Sequence, residues 1–252
     1  MVPVTADDFR RRKQRIIFSI LLAVALVAGG FAYAYKRSVD RVHARESFDS
    51  GVRQLHLADY SQAVLSLDRA IGLEPDFADA YLLRGKAYAG DSRPEEALSD
   101  FSRVIALRPK DPRGWMARGE TFLDQKKFVK AAEDASKAIE LDGRLAGAYN
   151  LRGLAVRGMG DGQRAIADFT HAVELDPNED NYYQRGATYQ LLNNHALAIA
   201  DLNHVIAIRP DASPGYLARA ESKRAIGDYE GARMDEKRVR EIEGIEGLPT
   251  LR

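Results

Sequence analysis

The sequence of 252 residues contains no cysteine and has no net charge, since 37 lysines and arginines balance 37 aspartates and glutamates. Without cysteine the chain has no disulfide, no thiolate metal site and no cysteine nucleophile. Without net charge it has no global field that would attract nucleic acid or acidic substrates. No stretch shows the sustained apolar–polar alternation of β-strands, so the pattern favours an all-α protein.

Charged residues are also missing from one segment of twenty residues, 16–35. Its length matches the roughly 20 residues that a helix needs to cross a hydrocarbon core. A short, dense basic cluster precedes it, and such clusters remain on the cytoplasmic side. We therefore predict a basic cytoplasmic tail (1–15), a transmembrane helix (16–35) and a juxtamembrane linker (36–43). The expected setting is the bacterial inner membrane, with the remaining residues in the periplasm.

Two further properties of this segment follow from its small residues. Ala32-Tyr33-Ala34 has the small-x-small form of a cleavage site, so the alternative is a signal that is cleaved after Ala34 and a periplasmic protein. The apolar run is longer than that of most signals, which favours the anchor. Ala25 and Gly29, and likewise Gly30 and Ala34, have the small-xxx-small spacing that allows two membrane helices to associate into a homo-oligomer.

The remainder of the chain repeats with a period of about 34 residues. A five-residue phrase recurs from Tyr81-Leu-Leu-Arg-Gly onwards. It consists of an aromatic residue, two variable residues, an arginine and a tiny residue. A second series at the same period consists of alanines, namely Ala63, Ala97, Ala131, Ala165, Ala198 and Ala232. Each unit contains two helix-length segments that are separated by a short turn, and a proline often follows the second segment. The pattern predicts an array of helical hairpins.

The second unit shows the full set of repeated residues: Tyr81, Gly85, Tyr88, Ala97, Phe101 and Pro109. This pattern closely resembles the tetratricopeptide repeat (TPR) family. The resemblance implies an all-α, right-handed superhelical TPR solenoid of six helix-turn-helix repeats, which would follow the N-terminal transmembrane helix. The TPR solenoid would occupy 44–246, with repeats at 44–77, 78–111, 112–145, 146–178, 179–212 and 213–246, and a disordered tail at 247–252.

The repeated arginines have a matching series of aspartates sixteen residues later. The first repeat has Ser50 and Ser66 in the two places, so both charges are missing together. We therefore predict a structural ladder of pairs between the two helices of repeats two to six: Arg84 and Asp100, Arg118 and Asp134, Arg152 and Asp168, Arg185 and Asp201, Arg219 and Asp235. The arginines of the repeated phrase are thus expected to be scaffolding rather than ligand contacts.

Catalytic and metal-binding patterns are not found. A basic stripe three residues beyond the aspartates includes His171 and His204, but neither has a second ligand at close helical spacing, so no metal is expected. The stripe is either an anion-binding track or a set of solvated pairs near helix ends. The run Gly158-Met-Gly-Asp-Gly162 lacks the strand and the Lys-Ser/Thr of a phosphate loop. We expect no enzymatic activity and no cofactor.

The resemblance also implies a concave groove that is lined by the first helix of each repeat. The fifth residue of each repeat is expected to face a bound peptide or helix: Phe48, Leu82, Met116, Asn150, Tyr183 and Leu217. The alternative is that these residues only pack against neighbouring first helices. Phe48 and Val52 stand where a clamp for chaperone C-terminal tails would need lysine and asparagine, which disfavours that partner.

Two functions remain open. The first is a membrane-anchored scaffold that binds a protein or peptide partner and assembles an envelope protein complex. The second is a secreted or anchored adaptor or regulatory subunit that delivers a polypeptide to an enzyme or a secretion machine. The sequence does not separate them.

Overall fold

The computed structural model describes residues 6–244, with side chains at 18, 27 and 29–244. These residues form twelve α-helices and no strand. The helices are α1 (Ala6–His56), α2 (Tyr60–Leu73), α3 (Ala78–Gly90), α4 (Pro94–Leu107), α5 (Pro112–Asp124), α6 (Phe128–Leu141), α7 (Ala146–Gly158), α8 (Gly162–Leu175), α9 (Glu179–Leu191), α10 (His195–Ile208), α11 (Ser213–Ala225) and α12 (Tyr229–Ile242). The tail predicted at 247–252 lies outside the described residues.

The chain divides into two compact units, and the boundary falls between Ala87 and Tyr88. The first unit contains α1, α2 and most of α3. The second contains the end of α3 and α4 to α12, so that the helices from α5 onwards form four complete hairpins. Each of these hairpins begins at the first residue of a predicted repeat.

The first helix is continuous over 51 residues. At a helical rise of about 1.5 Å per residue, this corresponds to about 75 Å. The helix includes the predicted membrane segment, the predicted linker 36–43 and the first helix of repeat one. The linker is therefore helical in the structure. No helix shows an apolar stretch long enough to span a membrane among the side chains that the structure describes, and most of 16–35 lies outside them.

The turn between the two helices of a repeat contains a left-handed residue in all six repeats. One residue per turn has a positive φ: Ala58, Ser92, Lys126, Gly160, Asn193 and Gly227. The left-handed conformation reverses the chain within a few residues and ends the first helix. Gly160 belongs to the glycine-rich run noted above, so that run forms a helix-connecting turn.

Small residues allow the two helices of a repeat to approach closely. The alanine series from Ala63 to Ala232 is at most 1% exposed. A Cβ atom at Gly153 would lie 2.7 Å from Cε1 of Phe169, and one at Gly119 would lie 3.2 Å from Cβ of Asp134. Glycine at this place costs roughly 1 kcal/mol of helix propensity against alanine. The close packing of the two helices that glycine permits compensates for this cost.

Candidate functional site

The arginine of each repeat in the second unit binds the aspartate sixteen residues later through two nitrogens. In Arg118, Nε donates to Oδ2 of Asp134 and Nη2 donates to Oδ1, both at 2.8 Å. The same pairing joins Arg152 to Asp168, Arg185 to Asp201 and Arg219 to Asp235, with shortest distances of 2.6–2.7 Å. These aspartates are at most 6% exposed, so each pair satisfies a carboxylate in the core.

The third nitrogen of each arginine extends the contact to the preceding repeat. Nη1 of Arg118 donates to Oγ of Ser102 at 3.1 Å, and Nη1 of Arg219 donates to Oδ1 of Asn203 at 2.7 Å. In the first unit, Nη1 of Arg84 donates to Asp68, which holds the corresponding place. Each arginine of the second unit thus joins its own hairpin to the second helix of the repeat before it. Arg84 and Asp100 lie in different units, so that pair stays a prediction.

The aromatic residue of the repeated phrase lies beneath its arginine. The guanidinium carbon of Arg118 is 5.1 Å from the ring centre of Trp115, and that of Arg152 is 5.6 Å from Tyr149. The polar atom of the ring caps the preceding loop: Nε1 of Trp115 donates to the carbonyl of Pro109, and the hydroxyl of Tyr216 donates to that of Pro210. All the recurring residues of the phrase therefore have intramolecular partners.

The charges of the ladder are stabilised in their ionised forms. The hydrogen bond to Asp168 raises the pKa of Arg152 against the opposing effect of burial. The pKa values of Arg118 and Arg185 are raised in the same way by their bonds to Asp134 and Asp201. Burial acts to raise the pKa of Asp235, but hydrogen bonds from Arg219 and Lys223 lower it below its usual value. A buried carboxylate with two cationic donors remains charged.

The two histidines of the basic stripe contact these aromatic rings, His171 in a tilted arrangement and His204 in a stacked one. The ring of His171 is 5.2 Å from Tyr149, and the ring of His204 is 4.5 Å from Tyr182. No group of three or more metal-ligating side chains occurs among the described residues. The histidines thus pack against the tyrosines of the repeated phrase.

The fifth residues of the repeats lie at different depths. Leu82 is 5% exposed, whereas Leu217 is 50% exposed. The ring of Phe48 lies 4.8 Å from that of Phe77. Tyr183 packs against the core of the fifth repeat. Met116 and Asn150 contact the next first helix, because a Cβ at Gly147 would lie 3.5 Å from Cε of Met116 and Nδ2 of Asn150 donates to Asn181 at 2.7 Å.

One pocket opens on these first helices within the second unit. It has a volume of about 320 Å³ and lies between α5, α7 and the start of α9. Leu123, Leu151 and Leu154 supply apolar surface, while Asn150 and Asn181 supply amides. Asn181 is held by its own bonds to the carbonyls of Ala172 and Asp176. The pocket therefore offers a fixed amide pair beside apolar side chains.

A second set of polar contacts between neighbouring first helices was not predicted from the sequence. The guanidinium of Arg157 donates to Oγ1 of Thr188 at 3.2 Å and to Oε1 of Gln184 at 2.8 Å. Nε2 of Gln190 donates to Oγ of Ser222 at 2.8 Å. Arg157 has no carboxylate partner in the described part of the chain, and burial lowers its pKa. The only sequence signal for these contacts is a spacing of 31 or 32 residues between the partners.

Comparisons with known proteins find the same repeats that the sequence and the helices show. Models of the tetratricopeptide repeat match residues 48–112 and 85–146, and also 146–179 and 180–212. These matches cover 48–212 without a gap, which is more than half of the chain. A search of curated proteins found no significant match.

Solved structures share this fold at low sequence identity. PilF of Pseudomonas aeruginosa superimposes with a TM-score of 0.71 at 15% identity, over 82% of this chain and 94% of that one. MamA gives 0.60 at 24% identity, over 64% and 95%. YrrB, described as a TPR protein with an unusual peptide-binding site, gives 0.58 at 14% identity, over 71% and 93%. The repeated sequence, the helical hairpins and the family matches agree: the chain belongs to the tetratricopeptide repeat family.

Proposed function

We propose that the protein is a membrane-anchored interaction scaffold whose first helices bind an extended segment of a polypeptide partner. TPR proteins bind protein or peptide partners, and YrrB is described as having a peptide-binding site. The observation that favours binding at the first helices of this chain is the pocket beside Asn150 and Asn181. The array would act by binding rather than by catalysis.

The chemistry of this pocket suits a peptide backbone. An asparagine side chain has both a donor and an acceptor, which match the carbonyl and the N–H of a peptide unit. Asn150 uses Nδ2 for its bond to Asn181, and its side chain lines a pocket with apolar surface from Leu123 and Leu154. A bound segment would place its backbone on the amide and an apolar side chain on the leucines.

Anchoring rests on the uncharged segment 16–35 and on the continuity of α1. Twenty residues without a charge are long enough to cross the bilayer as a helix, and the segment is part of one helix that continues into the first repeat. We propose that it holds the repeats in the periplasm, at the surface of a bacterial inner membrane, for assembly of an envelope complex. Ala25, Gly29, Gly30 and Ala34 would allow two such helices to associate.

An adaptor that delivers a polypeptide to an enzyme or secretion machine is the second candidate. The pocket serves either role. A scaffold keeps its partner in a stable complex, whereas an adaptor releases it to a third protein, so dissociation rates with and without the full assembly separate the two.

The groove assignment is tested by charge substitutions at two of the fifth residues. Met116→Glu should weaken partner capture from detergent-solubilised membranes with little change in melting temperature. Tyr183→Glu should weaken capture too, with a moderate loss of melting temperature because Tyr183 packs against the core of the fifth repeat. Glu174→Lys, on an exposed side of α8, is the matched control. Unfolding of the glutamate variants would show that these side chains belong to the core. Normal capture by a folded double variant would place the partner elsewhere.

The anchor is tested separately by alkaline carbonate extraction of cell membranes. A membrane-spanning chain remains in the pellet. A chain that is cleaved after Ala34 moves to the soluble fraction and begins at Tyr35, which N-terminal sequencing detects. Full extraction would contradict the anchor while leaving partner binding untouched.

A further inference from the structure

A second pocket lies in the first unit, where α1 leaves the predicted membrane segment. It has a volume of about 330 Å³. One wall is α1, and the other is the loop that follows α2. The side chains relevant here are Tyr33, Lys36, Arg37 and Arg41 from the helix, with Glu74 and Asp76 from the loop.

The pocket contains charges of both signs, and several of them have no ion pair in the described part of the chain. Lys36 and Arg37 are exposed, and neither has an ion pair among the described residues. Arg41 is 3.8 Å from Glu74, at the outer limit of an ion pair. Asp40 also lines the pocket, and it too has no ion pair in the described part of the chain. With Asp76, three cations and three carboxylates thus surround one small volume.

The position along α1 sets the depth of this pocket. If 16–35 crosses the hydrocarbon core, Lys36 follows the last membrane residue, and Arg41 lies about 9 Å beyond Tyr35 at a rise of about 1.5 Å per residue. The polar head-group layer extends roughly 5–8 Å beyond the core on each side of a bilayer. Because α1 is continuous through this region, an anchor at 16–35 would place the pocket in the head-group layer and at its outer edge.

We propose that this pocket binds the head group of a zwitterionic phospholipid that carries a phosphate and a primary ammonium. This inference rests on the membrane anchor proposed above. Lys36 and Arg37 bind the phosphate oxygens, since charge-assisted hydrogen bonds to phosphate are among the strongest in proteins. Asp40 and Asp76 accept from the ammonium. A purely anionic head group could pair only with the cations and would bring a like charge close to the carboxylates, so the mixture of charges favours the zwitterion.

Native mass spectrometry of the full-length protein in detergent tests the proposal. The lipids are phosphatidylethanolamine, phosphatidylcholine, which has no N–H donors, and phosphatidylglycerol, which has no ammonium. We expect phosphatidylethanolamine to be retained best. Lys36→Gln/Arg37→Gln should weaken its retention about tenfold or more, because two charge-assisted bonds are lost. Arg69→Gln/Lys86→Gln removes two exposed cations outside the pocket and should leave retention unchanged.

A second variant tests the ammonium side. Asp76→Asn should reduce the preference for phosphatidylethanolamine over phosphatidylcholine while total lipid retention changes little. Soluble glycerophosphoethanolamine should not displace the lipid, since the acyl chains hold the head group at this depth. Equal loss in the control variant, a preference for phosphatidylglycerol, or displacement by the soluble head group would overturn the proposal. Release of the wild-type chain by carbonate would instead contradict the anchor. Lipid retention in detergent tests head-group binding at the pocket independently of that result.

Discussion

Arg219 donates from Nη1 to Oδ1 of Asn203 at 2.7 Å, while its Nε and Nη2 hold the carboxylate of Asp235. Asn203 belongs to the second helix of the preceding repeat, and Asp235 belongs to the second helix of the same repeat as Arg219. One planar guanidinium therefore joins three helices. Because the same geometry recurs at Arg118, Arg152 and Arg185, it stabilises the interface between successive repeats of the second unit as well as each hairpin.

The coupling of Arg152 and Asp168 is measurable by a double-mutant cycle. Arg152→Leu leaves the carboxylate of Asp168, whose side chain alone is 9% exposed, without its partner, and Asp168→Asn leaves the guanidinium without its counter-charge. Each change should lower the free energy of unfolding by about 1–3 kcal/mol. The double variant should lose less than the sum. Urea denaturation provides the values, and additive losses would show that the two residues do not stabilise each other.

We expect the ion pairs of Asp235 to cause a specific loss of stability in acid. Its pKa in the folded protein is lowered by Arg219 and Lys223. Its contribution is therefore fully present above the pKa of an unfolded aspartate, about 3.9, and is lost as the pH falls through the lower folded value. Asp235→Asn should lower stability at about pH 7 and flatten the dependence between about pH 5 and pH 2. Asp211→Asn, at an exposed aspartate, is the control and should keep the wild-type slope.

Lys237 lies at a place in the second helix where, in earlier repeats, a side chain accepts a hydrogen bond from the arginine of the following repeat. The corresponding residues are Asp68, Ser102, Ser136, Thr170 and Asn203. Lysine has no acceptor and would repel an arginine of a further repeat. In a chain extended in register after position 246 by a copy of 146–178, Lys237→Ser should therefore raise the free energy of unfolding by about 1 kcal/mol.

The same substitution in the natural chain is the control. The side chain of Lys237 is 74% exposed, and its Nζ is 3.9 Å from the carboxylate of Glu241. The change in the free energy of unfolding should therefore stay within about 0.5 kcal/mol. Equal effects in the natural and the extended chain would mean that the lysine does not act on an incoming repeat.

Close approach of two helices at Gly153 is testable with alanine. A Cβ there would lie 2.7 Å from Cε1 of the fully buried Phe169. Gly153→Ala should therefore cost about 1–3 kcal/mol through overpacking. A Cβ at Gly72 meets nothing within 4 Å. Gly72→Ala should be neutral or stabilising by up to about 1 kcal/mol. Thermal unfolding compares the two, and a neutral Gly153→Ala would show that this core repacks freely.

The fold was accessible from the sequence because its determinants repeat. The spacing of Arg152 and Asp168 recurs in five repeats and is missing jointly in the first, and this joint loss indicates a contact. The sequence predicts a short turn in each repeat, but the left-handed conformation of Ala58, Ser92 and Lys126 has no local signal, since residues with a side chain at Cβ disfavour it. There the hairpin geometry overrides the local preference.

The groove was harder to predict than the scaffold. The fifth residues share a place in the repeat, yet Leu82 is buried and Leu217 is exposed, because burial depends on what each neighbouring helix presents. Asn150 binds Asn181 across 31 residues, and Arg157 reaches Thr188 over the same distance in sequence. Each contact requires two specific residues in adjacent repeats, so neither appears as a periodic signal.

Site-specific photo-crosslinking in intact cells tests the central claim most directly. A photoreactive phenylalanine analogue at position 150 lies in the pocket on the first helices, and one at position 174 lies on an exposed part of the second helix of the same repeat. The account predicts a defined protein adduct from position 150, recovered in the membrane fraction, and none from position 174. Adducts from position 174 alone, or adducts that appear equally from both positions, would contradict it.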